Sequence, residues 1–192
     1  GSPRLRSAAM RQEGDDAAFP GGDILPSSYE RERYDVGYGF RRGAHSLQID
    51  YGRNATGEAG TPALPMDIDY FDGDLPSATY RFDAGEDFTL SATAWGSDLD
   101  HGMTNYHLRP APTAPGLWRR NIATTENRGF RIEAELAADA GSWRAGLDGF
   151  SESHDSNIDN PNNPEFFVVN FNDAQRDVYG AYLEHERDVG PD

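Results

Sequence analysis

Two side chains in the middle of the sequence carry donor types that bind soft metal ions. His101 and Met103 are separated by a single residue, and residues two apart share a face when the backbone is an extended strand. An imidazole beside a thioether suits copper, above all Cu(I), and matches Ca²⁺ or Mg²⁺ poorly. Asn105 and His107 would continue the same face, with His107 as a further donor. Two donors do not complete a metal site, so ordinary strand or loop residues are the alternative interpretation.

Other chemistry in the sequence is weaker. Glu133 and Glu135 offer two carboxylates for acid–base catalysis, but on an alternating strand they are equally ordinary residues of a polar face. The sequence has no Gly-x-Ser-x-Gly nucleophile elbow, no phosphate-cradling glycine loop and no zinc-protease helix motif. It has no cysteine, and therefore no thiolate ligand or cysteine nucleophile. We predict that the chain is not an enzyme.

The elements that would position His101 and Met103 follow from a period-two alternation of apolar and polar residues, which is typical of strands with one apolar face. About eight strands are expected, near residues 34–40, 47–51, 78–82, 88–94, 130–136 and 143–147, from Tyr179 onward, and, with weaker alternation, at 4–12. The apolar residues of the strand at 88–94 are the even ones. If this alternation continues along the strand without interruption, the odd residues His101 and Met103 lie on the opposite, polar face.

The connections between these strands alternate in length. Short turns are expected at 41–43, 84–86 and 138–141, and long polar loops at 13–27, 53–75, around 110–116 and at 153–173. Such alternation is typical of an up-and-down outer-membrane β-barrel. The residues opposite the apolar stripe would line a polar lumen: Arg31, Arg33, Asp35, Arg131, Glu133 and Glu135. A β-sandwich, in which the same charges face solvent, is the alternative fold.

Composition agrees with a barrel whose strands are apolar on one face only. Mean hydropathy is −0.75 and only 36% of the residues are hydrophobic, yet 11% are aromatic, which is unlike a disordered chain. The 33 acidic and 17 basic residues give a formal net charge of −16. That charge argues against nucleic acid as a partner, because phosphate binding needs a basic surface. The negative charge could serve solubility alone, or acidic loops and a polar lumen could attract cations.

Three stretches resemble a known family, the TonB-dependent outer-membrane receptors. Residues 60–68 (GTPALPMDI) and 100–109 (DHGMTNYHLR) are similar to the early part of their barrel, and residues 176–182 (RDVYGAY) are similar to a barrel strand that follows a long extracellular loop. The second stretch resembles in particular the His-x-Met segment of the TonB-dependent copper receptors. The resemblance implies that His101 and Met103 contact copper as the transported ligand.

The family further implies a barrel of about 22 strands around a plug domain, set in the lipid of the outer membrane of a Gram-negative bacterium. The plug engages the TonB energy-transducing complex. Residues 1–192 would then form part of the barrel domain, with the plug before Gly1 and further strands after the turn at 188–192. Copper members also take ligands from a Cys and a Met of the plug, and this chain has no Cys. Two alternatives stay open: a receptor for a siderophore or another metal chelate, and a soluble extracellular β-sandwich that binds a ligand.

Overall fold

The chain folds almost entirely into β-strands. The computed structural model describes residues 1–138 and 141–187. Its strands are β1 (Ser2–Gly14), β2 (Ala17–Phe19), β3 (Gly22–Ile24), β4 (Tyr29–Arg42), β5 (His45–Ala59), β6 (Asp67–Ala84), β7 (Phe88–Thr104), β8 (Arg120–Ala138), β9 (Gly141–Asp159) and β10 (Phe167–Glu186), with a single 3-10 turn at Pro115–Leu117. Within the described residues, none of the helical turns is long and apolar enough to cross a lipid bilayer.

Eight of the strands form one antiparallel sheet in which consecutive strands pair, except that the β2–β3 hairpin lies between β1 and β4 in the chain. The order is β1-β4-β5-β6-β7-β8-β9-β10, and the short β2–β3 hairpin stands apart from it. This is an up-and-down meander, as the alternation predicted. A β-sandwich needs a second sheet stacked on the first, and the described residues contain only the small hairpin beside the main sheet. The sandwich alternative is therefore wrong for the fold.

The sheet has two chemically distinct faces, because directly paired residues of neighbouring strands point to the same side. One row of directly paired residues crosses the strands on what we call the apolar face, which also contains every second residue of each strand counted from that row. The row is Tyr38, Ile49, Ala78, Ala94, Phe130, Gly149 and Tyr179. The alternate residues between them point to the other side and form the polar face. It includes all six predicted lumen residues: Arg31, Arg33, Asp35, Arg131, Glu133 and Glu135.

The sheet covers very little apolar surface within the protein itself. Among the described residues, Ala59 is the one buried hydrophobic residue, whereas Val36 is 50% exposed, Leu147 54% and Leu183 70%. A soluble domain of this length buries most of its large apolar side chains. Exposed apolar surface of this extent marks a face that contacts a membrane or another protein.

Two of the three predicted short turns form where the sequence placed them. Gly43 and Gly85 adopt φ values of 57° and 78°, a left-handed conformation that glycine reaches without a Cβ penalty. The third predicted turn, at 138–141, falls partly on residues 139 and 140, which lie outside the described residues, as does the expected turn at 188–192.

The long loops are shorter than the sequence suggested. β5 continues to Ala59 and β6 begins at Asp67, so the connection predicted at 53–75 is only residues 60–66. Likewise, β9 ends at Asp159 and β10 begins at Phe167, where 153–173 was expected to be a loop. The strands extend beyond the apolar face, and there both sides of the sheet carry polar residues. Period-two alternation disappears in such segments although the backbone pairing continues.

Candidate metal site and the loop clamp

His101 and Met103 lie on the polar face near the loop end of β7, as the parity argument predicted. β7 pairs with β8 without a register shift as far as Thr104, so the phase established at Phe88 is preserved. His101 lies opposite Ala123 of β8 and Phe71 of β6, while Met103 lies opposite Asn121 and Ile68. The two side chains are therefore consecutive residues of one face. Their role in binding a metal stays a prediction.

One ring nitrogen of His101 lacks a hydrogen-bond partner. Its Nε2 is shielded from solvent and has no hydrogen-bond partner among the described residues, and its ring meets that of Phe71 edge-on at 5.4 Å between centroids. Burial lowers the pKa of His101, and the nearby Asp100 carboxylate offsets this only in part. The ring is consequently neutral at pH 7, with a lone pair available on one nitrogen. A buried nitrogen of this kind costs about 1–3 kcal/mol when nothing satisfies it.

This site lies beyond the edge of the apolar stripe. On the opposite side of the sheet, at the level of His101, the neighbouring residues are Asp72 and Asp100, which face each other across β6 and β7. Tyr70 donates a hydrogen bond to Asp100 at 2.9 Å. Burial, followed by the bond to Asp100, raises the pKa of Tyr70 to about 12.

Asn105 and His107 do not continue the face of His101 and Met103, because the strand ends at Thr104. The amide of Asn105 accepts the Arg119 N–H at 2.8 Å and donates to the Leu117 carbonyl at 3.0 Å, which closes the loop between β7 and β8. His107 contacts Asp69 through Nδ1 at 2.9 Å and Glu58 through Nε2 at 2.8 Å. Both of its ring nitrogens are therefore occupied. The expectation that His107 supplies a further donor on this face is wrong for that geometric reason.

A charged clamp holds the loops immediately above the site. Asp67, the first residue of β6, is 1% exposed. Arg109 donates to its carboxylate through Nε at 2.7 Å and through Nη2 at 2.6 Å, and Arg109 Nη1 also reaches the Leu64 carbonyl at 2.9 Å. The Thr61 N–H adds a bond to Asp67 at 2.9 Å. This group, which we call the Asp67–Arg109 clamp, ties the β7–β8 loop to the β5–β6 loop.

Electrostatics favour the charged form of the clamp. Burial opposes ionisation of Asp67, but the hydrogen bonds from Arg109 and Thr61 outweigh it, and the net effect lowers the pKa of Asp67. The same pairing raises the pKa of Arg109. A bidentate pair between guanidinium and carboxylate is the strong form of this interaction. Sequence reasoning missed the clamp because its partners are 42 residues apart in the chain and neither occurs in a local motif.

The third loop at this end of the sheet joins the same assembly. Asn160 donates to the Pro115 carbonyl at 3.1 Å, and the Arg119 guanidinium lies 3.9 Å from the centroid of the Phe166 ring. Within the β7–β8 loop, the rings of Tyr106 and Trp118 stack at 4.7 Å. The loop end of the sheet is thus tied together around the segment that follows Met103.

The described residues alone do not complete a metal site. Across residues 1–138 and 141–187, no group of three or more His, Asp or Glu side chains could hold an ion. His154, on the same polar face in β9, is engaged by the Thr125 hydroxyl. The site offers one imidazole nitrogen and one thioether, so an ion bound there needs further ligands from elsewhere.

The architecture is that of a segment of a larger up-and-down β-barrel. A solved structure of the copper transporter OprC is similar, with a TM-score of 0.80 over 94% of this chain and 20% sequence identity. The chain spans 30% of the length of that structure. At this identity the likeness establishes the shared fold. No protein-family model matches the chain, and no curated protein sequence matches it.

Proposed function

We propose that this chain belongs to a TonB-dependent receptor that imports copper, or a similar soft metal ion, across the outer membrane of a Gram-negative bacterium. The observation that carries the proposal is the His101–Met103 pair, because it presents a neutral imidazole and a thioether on the polar face of a sheet whose fold is shared with a copper transporter. The resemblance of residues 100–109 to the His-x-Met segment of copper receptors supports the same reading.

A membrane location would explain why the apolar face is uncovered. On β8 the apolar stripe comprises Phe130, Ile132, Ala134 and Leu136, and toward the loops it gives way to Arg128 and Glu126 on the same side. The eight strands of the main sheet contain 13 to 20 residues, more than the 9–11 residues that a tilted transmembrane strand needs. We infer that lipid contacts the apolar face and that the charged ends of the strands project outside the bilayer.

The metal would meet His101 and Met103 after passing the acidic loops. The described loops and strand ends carry many carboxylates, which raise the local concentration of cations. Binding would then give His101 Nε2, which has no hydrogen-bond partner, a bond to the metal. The remaining ligands would come from a plug domain, as the family resemblance implies. Displacement of that plug by the TonB complex would release the ion inward.

Copper-limited uptake by the full-length receptor tests this proposal. Replacing both His101 and Met103 by Ala should reduce high-affinity copper uptake at least tenfold. The binding free energy lost with each metal bond exceeds about 1.4 kcal/mol, which corresponds to a factor of ten in affinity. His154→Ala is the matched control, because it removes an imidazole from the same face that is already engaged by Thr125. Surface abundance of each variant is measured in parallel.

The alternative function, import of a siderophore or another metal chelate, makes the opposite prediction. A chelate supplies its own metal ligands, so the double variant would keep full uptake of the complex. Unchanged copper uptake by the His101/Met103 variant, at normal surface abundance, would favour the chelate receptor.

A further inference from the structure

We propose that the turn end of the polar face contains a second binding site, which takes an anionic oxygen ligand between Arg4, Arg41 and Arg81. The three side chains belong to β1, β4 and β6. They line a depression of about 360 Å³ together with Ser46, Gln48 and Thr79. The ligand has the chemistry of a phosphate or a carboxylate.

Two of these arginines have no countercharge, whereas several other arginines of the polar face do. On the polar face, Arg6 pairs with Asp50 at 2.7 Å, Arg33 with Asp35 at 2.8 Å and Arg144 with Glu135 at 2.8 Å. Within the described residues, Arg4 and Arg41 form no ion pair. Arginines close together on one surface repel one another unless anions separate them. Arg4 and Arg41 lie on adjacent strands, and no carboxylate of the described residues lies within ion-pair distance of either.

Cross-strand register shows why no internal partner reaches them. Arg4 lies opposite Gly39, and Arg41 lies between Ser2 and Ser46. These small neighbours leave space above the sheet and carry no charge. A Cβ at Gly39 would meet nothing closer than 4.0 Å, so the floor of the depression is open.

The third arginine completes a cradle with hydrogen-bond donors. Arg81 lies opposite Ser46 on the side away from Arg41, and its Nε already contacts Asp83 at 2.8 Å. Gln48 and Thr79 form the next cross-strand pair. The Gln48 amide already donates to Asp50 at 2.6 Å, and the Thr79 hydroxyl shares a hydrogen bond with Thr93 at 3.2 Å. The guanidinium groups around the depression are therefore the main donors, and guanidinium groups are the donors with which proteins bind phosphate and carboxylate oxygens.

This site is separate from the candidate metal site on the same face. Arg81 pairs with Ser91 of β7, and His101 lies ten residues further along that strand, which corresponds to roughly 33 Å. A ligand at the arginines therefore does not contact His101 or Met103, and the two sites are testable independently.

Equilibrium dialysis of the full-length chain in detergent against radiolabelled inorganic phosphate tests the proposal. We expect saturable binding of one phosphate that weakens about tenfold in Arg4→Gln and in Arg41→Gln. Arg6→Gln is the matched control: it removes the same charge from the next polar-face position of β1, but from an arginine that Asp50 already neutralises. Phosphate binding that is equal in all four proteins would overturn the proposal.

A second arm identifies a carboxylate of a polypeptide as the occupant. Arg41→Lys places a primary amine at the site, and carbodiimide then joins that amine to a carboxylate in contact with it. Absence of phosphate binding together with a cross-link from Lys at position 41 to a carboxylate outside residues 1–187 supports a polypeptide ligand. Absence of both phosphate binding and any cross-link would overturn the proposal.

Discussion

Loss of Arg109 should loosen the loop end of the sheet far more than loss of an ordinary surface arginine. Arg109→Ala leaves the Asp67 carboxylate, which is 1% exposed, with only the Thr61 bonds. Removing one partner of a buried ion pair costs about 3–5 kcal/mol. Because the Arg109 side chain is 22% exposed, we take the lower end, about 3 kcal/mol, which corresponds to roughly a hundredfold change in a local opening equilibrium.

Amide hydrogen exchange reports that opening directly. The Leu64 N–H donates to the Thr61 carbonyl at 2.9 Å and the Asn105 N–H donates to the Arg119 carbonyl at 3.2 Å, so both amides should exchange about a hundredfold faster in Arg109→Ala. The control is Arg120→Ala, whose ion pair with Asp159 is more exposed and should contribute less than about 1 kcal/mol.

A double variant distinguishes the free-energy cost of an unpaired buried carboxylate from the cost of the lost hydrogen bonds. Asp67→Asn combined with Arg109→Ala removes the uncompensated carboxylate, so its exchange should be slower than that of Arg109→Ala alone. Exchange in Arg109→Ala within threefold of wild type would refute the reasoning, because it would mean that water solvates Asp67 and that the clamp is an ordinary surface pair.

Three further predictions concern the packing of the sheet, its apolar face and the metal site. Gly129→Val should destabilise the sheet by about 1–3 kcal/mol in urea titrations, because a Cβ there collides with the ring of Trp95 across the β7–β8 pair. If lipid covers the apolar face, Leu147→Arg should cost about 2–4 kcal/mol of folding free energy in vesicles, whereas Thr93→Arg on the polar face should cost less than about 1 kcal/mol. If copper binds His101 as proposed, its affinity should persist down to about pH 6.5 and fall at lower pH, because burial lowers the pKa of His101 and the proton competes with the metal below that pKa. A fall that begins well above pH 7 would contradict this.

Sequence periodicity predicted the part of the fold in which one face is apolar. The strands around Tyr38, Ile49, Phe130 and Leu147 were found by alternation, and so was the parity that places His101 on the polar face. The physical reason is that one apolar face imposes a period of two on the sequence. Turn positions at glycines with positive φ were predictable for a similarly local reason.

The loop end of the sheet was not predictable in the same way. Between Arg53 and Ala59, and again from Asp67 onward, both faces of the strands carry polar residues, so the pattern was that of a loop while the backbone pairing continued. The contacts of Arg109 and His107 depend on residues brought together by the ends of distant strands. No spacing within one segment encodes such contacts, and for that reason the clamp and the loss of His107 as a donor emerged only from the structure.

X-ray absorption spectroscopy of the full-length protein loaded with Cu(I) tests the proposed metal site most directly. We expect a nitrogen scatterer that disappears in His101→Ala and a sulfur contribution that decreases in Met103→Leu, with no change in His154→Ala. A copper environment that is identical in the wild type and in both site variants would contradict the assignment of His101 and Met103 as metal ligands.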